Sequence, residues 1–188
     1  GMYKDLREES LNLTLACEFD GIGIGGLSVG EPKEEKTKVL KHLSNILPDD
    51  KPRYLMGVGK PEDIVEAVFY GIEMFDCVLP TRNARNGQLI TSTGVINIRN
   101  AKYKNDDSPI DENSDSKVCK NYSKAYLHHL DKTNEMLGSM LASYHNIYYY
   151  HELMKKIRQS IEDDIFVNFA KDFYNNRNLP IPDYLEGL

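Results

Sequence analysis

The first half of the chain alternates short apolar runs with longer stretches in which apolar residues recur at helical spacing. The short runs have strand length and occupy residues 21–27, 54–59 and 74–80. The stretches with helical periodicity occupy residues 5–17, 32–47 and 61–72. Uniformly apolar strands that alternate with helices are typical of parallel βαβ units, whose sheets are covered on both faces. The pattern therefore predicts an α/β fold with three parallel strands.

After Asn86-Gly87 the periodicity changes. Residues 88–91 and 95–98 flank Ser92-Thr93-Gly94 and predict a β-hairpin. The polar residues 104–117 indicate a loop, and the chain from about Cys119 onward has helical periodicity. We expect four helices there, with Asn146 as the cap of the third.

The carboxyl ends of the three predicted strands carry the candidate chemistry, because parallel sheets place their functional groups there. Gly25-Gly26-Leu27 follows the first strand, Met56 to Lys60 follows the second, and Asp76 lies in the third. Desolvating a carboxylate is costly unless it is compensated. Asp76 is therefore expected at a strand end where it performs chemistry. The alternative is a carboxylate tied to a nearby arginine or to backbone amides at a loop.

Charge is distributed unevenly along this acidic chain. The net charge is −6 and the pI is about 5.4, which gives no overall case for binding nucleic acid. The segment from Arg82 to Lys104 nevertheless contains only basic charged residues, namely Arg82, Arg85, Arg99, Lys102 and Lys104. Such a cationic segment predicts a local phosphate-binding face, and the alternative is a set of solvated side chains.

The remaining composition indicates an ordinary globular protein. Its three cysteines are scattered, no apolar run approaches membrane-spanning length, and the first residues lack the apolar core of a signal peptide. We therefore expect a cytoplasmic location and no membrane association. Three parallel strands are too few to form a stable sheet, so further strands come from elsewhere or the chain associates.

Five motifs in register give the chain a specific resemblance. They are residues 24–31 (IGGLSVGE), 54–61 (YLMGVGKP), 74–82 (MFDCVLPTR), 97–101 (NIRNA) and 125–130 (AYLHHL). These motifs resemble the tRNA-guanine transglycosylase (queuine tRNA-ribosyltransferase) family, and the likeness runs from about residue 3 to residue 173. Several long motifs in the same order are far more specific than one short glycine motif.

The resemblance implies a fold, a reaction and a set of roles. The family has a modified (β/α)8 barrel, so this chain would form part of a barrel, with a hairpin and a helical subdomain. Members of the family exchange guanine at the tRNA wobble position for a deazaguanine. Asp76 matches the nucleophile that attacks ribose C1′. Gly25, Gly26 and Leu27 match the backbone segment that binds the base, and Met56 matches the apolar residue stacked on it.

The resemblance also assigns tRNA contacts and reveals a departure. Lys60, Arg82 and Arg85 match positions that contact the anticodon nucleotides and backbone. The family's general acid/base, its second stacking residue and its base-reading side chains have no counterpart here. We therefore expect the chain alone to be an incomplete enzyme that forms a homodimer or joins a companion polypeptide. The alternative is a noncatalytic tRNA-binding or dimerisation module.

A second departure concerns the family's structural zinc site. The family pattern is three cysteines spaced C-x-C-x2-C and a later histidine, and here Ser114, Ser116, Cys119 and His145 occupy those positions. Hydroxyls are poor substitutes for thiolates. We expect no bound zinc. The resulting domain expectation is a barrel portion with the hairpin in residues 1–100, a helical subdomain with the degraded zinc site in 101–175, and an irregular tail in 176–188.

Overall fold

The computed structural model describes residues 1–187 and divides the chain into two compact units. Unit 1 is Gly1–Val78, and unit 2 begins at Leu79. The boundaries expected near residues 100 and 175 stay predictions. No helix within residues 1–187 has the length and apolar character needed to cross a membrane.

Unit 1 contains the predicted alternation of helices and strands. Its elements are α1 (Lys4–Leu15), β1 (Ile22–Ile24), α2 (Lys33–Leu43), β2 (Arg53–Leu55), α3 (Pro61–Phe69) and β3 (Met74–Phe75). The strands form a parallel sheet in the order β1-β2-β3, with Ile22 opposite Arg53 and Tyr54 opposite Met74. The predicted parallel sheet is therefore confirmed.

All three strands are shorter than their apolar runs. Gly26 and Gly57 follow β1 and β2 with φ values of +67° and +73°, a conformation that glycine adopts without a steric penalty. The chain turns at these glycines and leaves the sheet. The apolar residues beyond β1 and β2 therefore belong to strand-end loops, whereas Leu79 and Pro80, beyond β3, belong to a helix. Hydrophobicity alone does not reveal this difference.

Helices α2 and α3 are joined by a buried ion pair. Pro61 occupies the start of α3, as predicted, because its missing N–H would have no helical partner there. Lys36 Nζ lies 2.5 Å from Asp63 Oδ2, and both side chains are almost fully buried. The apolar core of unit 1 includes Ile22, Ile24, Val39, Leu40, Leu43, Leu55, Ile64 and Val65.

Unit 2 combines a hairpin with helices. Its elements are α4 (Leu79–Arg85), β4 (Gln88–Thr91), β5 (Gly94–Asn97), α5 (Lys117–Asn121), α6 (Lys124–Lys132), α7 (Met136–Glu162) and α8 (Phe166–Asn176). The predicted hairpin is confirmed, with β4 and β5 antiparallel. The polar loop before α5 is anchored to the hairpin turn, because Asp111 accepts hydrogen bonds from the Ser92 amide and hydroxyl at 2.6 and 2.8 Å.

The prediction that Asn146 caps a helix is wrong. Asn146 lies inside the 27-residue helix α7 and is fully buried. Its Oδ1 accepts from the Ile90 amide at 2.9 Å, and its Nδ2 donates to the carbonyls of Pro80 and Gln88 at 2.9 and 3.0 Å. The side chain therefore satisfies backbone groups of neighbouring segments.

Candidate active site

The strand-end site of unit 1 consists of Gly25, Gly26, Met56, Gly57 and Asp76. Each of these residues directly follows β1, β2 or β3, and the parallel order brings the three strand ends to one edge of the sheet. The Met56 amide donates to the Ile24 carbonyl at 3.1 Å, which keeps the first two strand ends together.

Asp76 is held by two hydrogen bonds to one of its oxygens. The Tyr54 hydroxyl donates to Asp76 Oδ1 at 2.6 Å, and the Gly57 amide donates to the same atom at 2.8 Å. These two donors, Tyr54 first, lower the pKa of Asp76 below its usual range. Both bonds favour the ionised carboxylate, which is the form that a nucleophile requires.

Asp76 lies at a strand end, as its apolar neighbours predicted. Its side chain is exposed, since β3 ends at Phe75 and Asp76 already lies beyond the sheet. The backbone amide of Gly57 is one of its partners, as the alternative interpretation of Asp76 anticipated. An ionised, oriented and accessible carboxylate is suited to attack an electrophilic carbon. Its catalytic role stays a prediction.

Met56 lies beside a surface that lacks side chains. Its side chain is 47% exposed, and a Cβ added to Gly25 would lie 3.6 Å from its sulfur. Gly26 is also exposed, whereas the Leu27 side chain is buried. The site therefore presents a polarisable thioether together with bare backbone, an arrangement that allows a flat ring to approach closely.

The loop that follows Gly26 is fixed by a carboxylate. Glu31 accepts hydrogen bonds from the backbone amides of Ser28 and Val29. On the other side, Arg7 Nη2 donates to the Gly25 carbonyl at 3.2 Å. Both contacts restrict the backbone on either side of Gly26, so the glycine pair is held in place by neighbouring side chains.

Gly59 and Cys77 are in unusually close contact. A Cβ added to Gly59 would lie 2.2 Å from both Cβ and Sγ of Cys77. The absence of a side chain at Gly59 is therefore what admits Cys77, the residue next to Asp76. The sequence gives no signal for this pairing, because the two residues are distant in the chain.

Tyr54 is a functional candidate that the sequence did not identify, and the hydrogen bond from the Gly57 amide to Asp76 was not predicted either. The signal that could have found Tyr54 is the strand pairing, since Tyr54 lies opposite Met74 in the parallel ladder. Asp76 lies two residues beyond Met74, within reach of the long Tyr54 side chain. This relationship depends on the register between β2 and β3, which the apolar pattern of a single sequence does not determine.

The predicted tRNA-contacting residues occupy both units. Lys60 is exposed immediately before α3 in unit 1. Arg82 and Arg85 are exposed in the last turn of α4 in unit 2. Arg99, by contrast, contacts both carboxylate oxygens of Asp131 at 3.1 and 3.0 Å. The cationic segment is therefore only partly available to a phosphate.

The predicted remnant of the zinc site is also in unit 2. Cys119 Sγ lies 3.5 Å from His145 Nδ1, and both side chains are buried. The Ser116 hydroxyl accepts a hydrogen bond from the Cys119 amide at 3.1 Å and so caps α5. Within residues 1–187, no group of three or more histidine, cysteine or acidic side chains could hold a metal ion.

The chain is similar to known proteins over nearly its whole length. The family model for queuine tRNA-ribosyltransferase matches residues 1–179. A queuine tRNA-ribosyltransferase of Acinetobacter baylyi is 58% identical over 182 residues, which cover 97% of this chain and 47% of that protein. One of Francisella tularensis subsp. novicida is 57% identical over 94% of this chain and 48% of the relative.

Two facts follow from these similarities. The chain spans about half the length of the curated relatives that it matches. The match covers the strand-end site, α4, the hairpin and the helices through α8. The chain therefore belongs to the queuine tRNA-ribosyltransferase family.

Proposed function

We propose that this chain supplies the nucleophile and one wall of the base pocket for tRNA-guanine transglycosylation. The observation that carries the proposal is the oriented Asp76 carboxylate, which accepts from Tyr54 and Gly57 through Oδ1. The second oxygen, Oδ2, is the one that we assign to attack. Family membership supplies the substrate class, a guanine nucleotide of tRNA.

In the proposed reaction, the Asp76 carboxylate attacks C1′ of the wobble nucleotide. A carbon–oxygen bond forms as the bond between C1′ and guanine N9 breaks, and its electron pair leaves with the base. A general acid protonates the departing guanine. An incoming deazaguanine then loses a proton to a general base and attacks C1′, which releases Asp76 as a carboxylate.

Met56 and the glycine pair support the binding of the base. Met56 presents its thioether beside Gly25, which lacks the Cβ that would hold a purine away from that sulfur. We infer that the base stacks against Met56 while the backbone of Gly26 and Leu27 meets its edge. Lys60, Arg82 and Arg85 would then bind the anticodon phosphates, because all three are exposed cations.

The remaining pocket groups are proposed to come from a segment that corresponds to the unmatched half of the relatives. In this proposal β1, β2 and β3 are consecutive strands of a (β/α)8 barrel, and both edges of the three-stranded sheet pair with further strands. The positioned general acid/base of that segment would contribute about 10² to 10⁴ in rate. A companion polypeptide or the same parent protein could provide it, and a homodimer is the other predicted association.

The test uses an unmodified tRNA substrate and radiolabelled guanine. The chain is incubated alone and with a polypeptide that carries the other half of a relative, and guanine incorporation is measured. We expect incorporation only in the mixture. We also expect a denaturant-resistant adduct between the protein and tRNA, which Asp76→Asn abolishes. Asp172→Asn changes an aspartate of α8, outside the strand-end site, and serves as the matched control.

Each outcome decides a separate part of the proposal. Unchanged adduct formation in Asp76→Asn would refute the nucleophile assignment. Incorporation by the chain alone would refute the need for a second segment. Retained tRNA binding without incorporation in the mixture would favour the noncatalytic module, and sedimentation of the free chain would reveal a homodimer.

A further inference from the structure

The buried contact between Cys119 and His145 lies where the family has its zinc site. Three sequence segments meet there: Ile90 in β4, Cys119 in α5 and His145 in α7. His145 is 1% exposed and Cys119 is 8% exposed. The contact therefore links a strand and two helices inside the core of unit 2.

The donor set at this position does not fit a structural zinc ion. Such sites use four thiolate or imidazole donors. Among the described residues at this position, only Cys119 and His145 are donors of that kind. The Ser116 hydroxyl is already engaged with the Cys119 amide at 3.1 Å. The Ser114 hydroxyl accepts from the Ser116 amide at 3.3 Å. The two serines thus shape the turn before α5.

The hydrogen bonds of His145 show which of its ring nitrogens carries a hydrogen. Its Nε2 lies 2.8 Å from the Ile90 carbonyl oxygen. A carbonyl oxygen only accepts hydrogen bonds, so Nε2 carries a hydrogen and donates it. Nδ1 faces Cys119 Sγ at 3.5 Å, and a neutral ring with hydrogen on Nε2 offers a lone pair at Nδ1. The thiol of Cys119 is then the donor to that lone pair.

We propose that a proton shared by Cys119 and His145, rather than a zinc ion, joins α5 to α7 in this chain. The Nε2–H bond to Ile90 extends the connection to β4, and the cap by Ser116 fixes the start of α5. Both ring nitrogens of His145 are used in this arrangement. The helical unit would consequently keep its stability in the absence of metal.

The first test measures metal content and metal dependence together. The purified chain is analysed for zinc, and its melting temperature is recorded with added zinc and with a chelator. We expect well under one zinc per chain and the same melting temperature in both conditions. Stoichiometric zinc, or a melting temperature that falls with the chelator, would overturn the proposal.

The second test separates a shared proton from simple packing. Cys119→Ser keeps a hydrogen donor for Nδ1, whereas Cys119→Ala removes it and is similar in size. The serine variant should melt at a higher temperature than the alanine variant, and in the wild-type chain NMR of the His145 ring should show hydrogen on Nε2. An alanine variant as stable as the serine variant, or a ring without hydrogen on Nε2, would refute the shared proton.

The third test asks whether the two serines explain why zinc is not expected to bind here. Ser114→Cys combined with Ser116→Cys supplies two additional thiolates at the family spacing. This double variant should bind about one zinc per chain, with a melting temperature that a chelator lowers. A double variant that remains free of zinc would show that the serine substitutions do not explain the difference.

Discussion

The hydroxyl of Tyr54 donates a hydrogen bond to Asp76 Oδ1 at 2.6 Å, across the pair of strands β2 and β3. The same contact raises the pKa of Tyr54 and lowers the pKa of Asp76. The two shifts share this bond as their largest cause, because the bond is strongest when the phenol keeps its proton and the carboxylate is ionised. Tyr54 is therefore a positioning residue for Asp76.

Tyr54→Phe should raise the pKa of Asp76. The substitution removes the first of the two hydrogen bonds that lower this pKa and leaves the Gly57 amide in place. Carbon NMR of the Asp76 carboxyl during a pH titration measures the change directly. Tyr3→Phe, which alters an exposed tyrosine of the same unit, is the control and should leave the titration unchanged.

The same substitution should alter stability in a pH-dependent manner. A lowered folded-state pKa contributes stability that is present above the unfolded pKa, about 3.9 for aspartate, and that is lost as pH falls through the folded value. Tyr54→Phe should therefore destabilise unit 1 at neutral pH, and the difference from wild type should shrink in acid. Urea unfolding at several pH values would show this, and a constant difference would contradict it.

Gly59→Ala should destabilise the protein by about 1–3 kcal/mol, the usual range for overpacking. The new Cβ would lie 2.2 Å from Cys77 Cβ, so one of the two segments must move. Urea unfolding measures the loss. Gly23→Ala is the matched control, since its nearest neighbouring atoms are 3.9 Å away.

A second-site change tests the cause of the Gly59 effect. Cys77→Gly removes both atoms that the new Cβ would meet. Combining it with Gly59→Ala should therefore cost less than the sum of the two single substitutions. Strict additivity would mean that the contact between these residues is not the source of the instability.

Arg82→Ala with Arg85→Ala should weaken tRNA binding and reduce its salt dependence. If each arginine neutralises one phosphate, the slope of log K against log salt should fall by about 1.4–1.8. Fluorescence anisotropy with labelled tRNA over a salt series measures both quantities. Lys155→Ala with Arg158→Ala removes the same charge from exposed positions of α7 and serves as the control.

Arg99 should behave differently from these two arginines. Its guanidinium is engaged with Asp131 and with the Arg85 carbonyl, so Arg99→Ala should lower stability by up to about 1 kcal/mol. A large loss of tRNA affinity with unchanged stability would contradict this division of roles.

Asn146→Ala should destabilise unit 2 by about 2–4 kcal/mol, because it leaves buried backbone groups of neighbouring segments without partners. Thermal unfolding measures the loss. Asn121→Ala removes an exposed amide that donates to Lys117 within its own short helix, so its effect should stay within about 0.5 kcal/mol. Equal effects of the two substitutions would contradict the role assigned to Asn146.

Local patterns predicted the helices and strands of this chain better than they predicted which residues contact each other. The parallel strands and the hairpin follow from runs of apolar residues, and Asp76 was expected at a strand end because of its apolar neighbours. Tyr54 was missed because its contact requires knowledge of strand pairing. The Arg99–Asp131 pair was missed for a similar reason, since the two residues are distant in sequence.

The role of Asn146 was predicted incorrectly because a polar residue between two apolar helical stretches can have either of two roles. It can cap a helix, or it can lie inside a helix and bond to neighbouring segments, and the local sequence pattern is the same in both cases. The strand lengths were overestimated for a related reason. Hydrophobicity reports burial, and the residues beyond Leu55 include the buried Val58 although they lie outside the sheet. Backbone direction at Gly57, rather than polarity, ends the strand.

The amide of Asn146 also fixes where the longest helix lies along its own axis. Helix α7 has 27 residues and extends about 40 Å at 1.5 Å per residue. A slide by one turn would carry the amide about 5.4 Å away and break its three bonds at once. Apolar side chains alone tolerate such slippage, so Asn146, together with the bond from the adjacent His145 to Ile90, sets the axial position that both distant helix ends inherit.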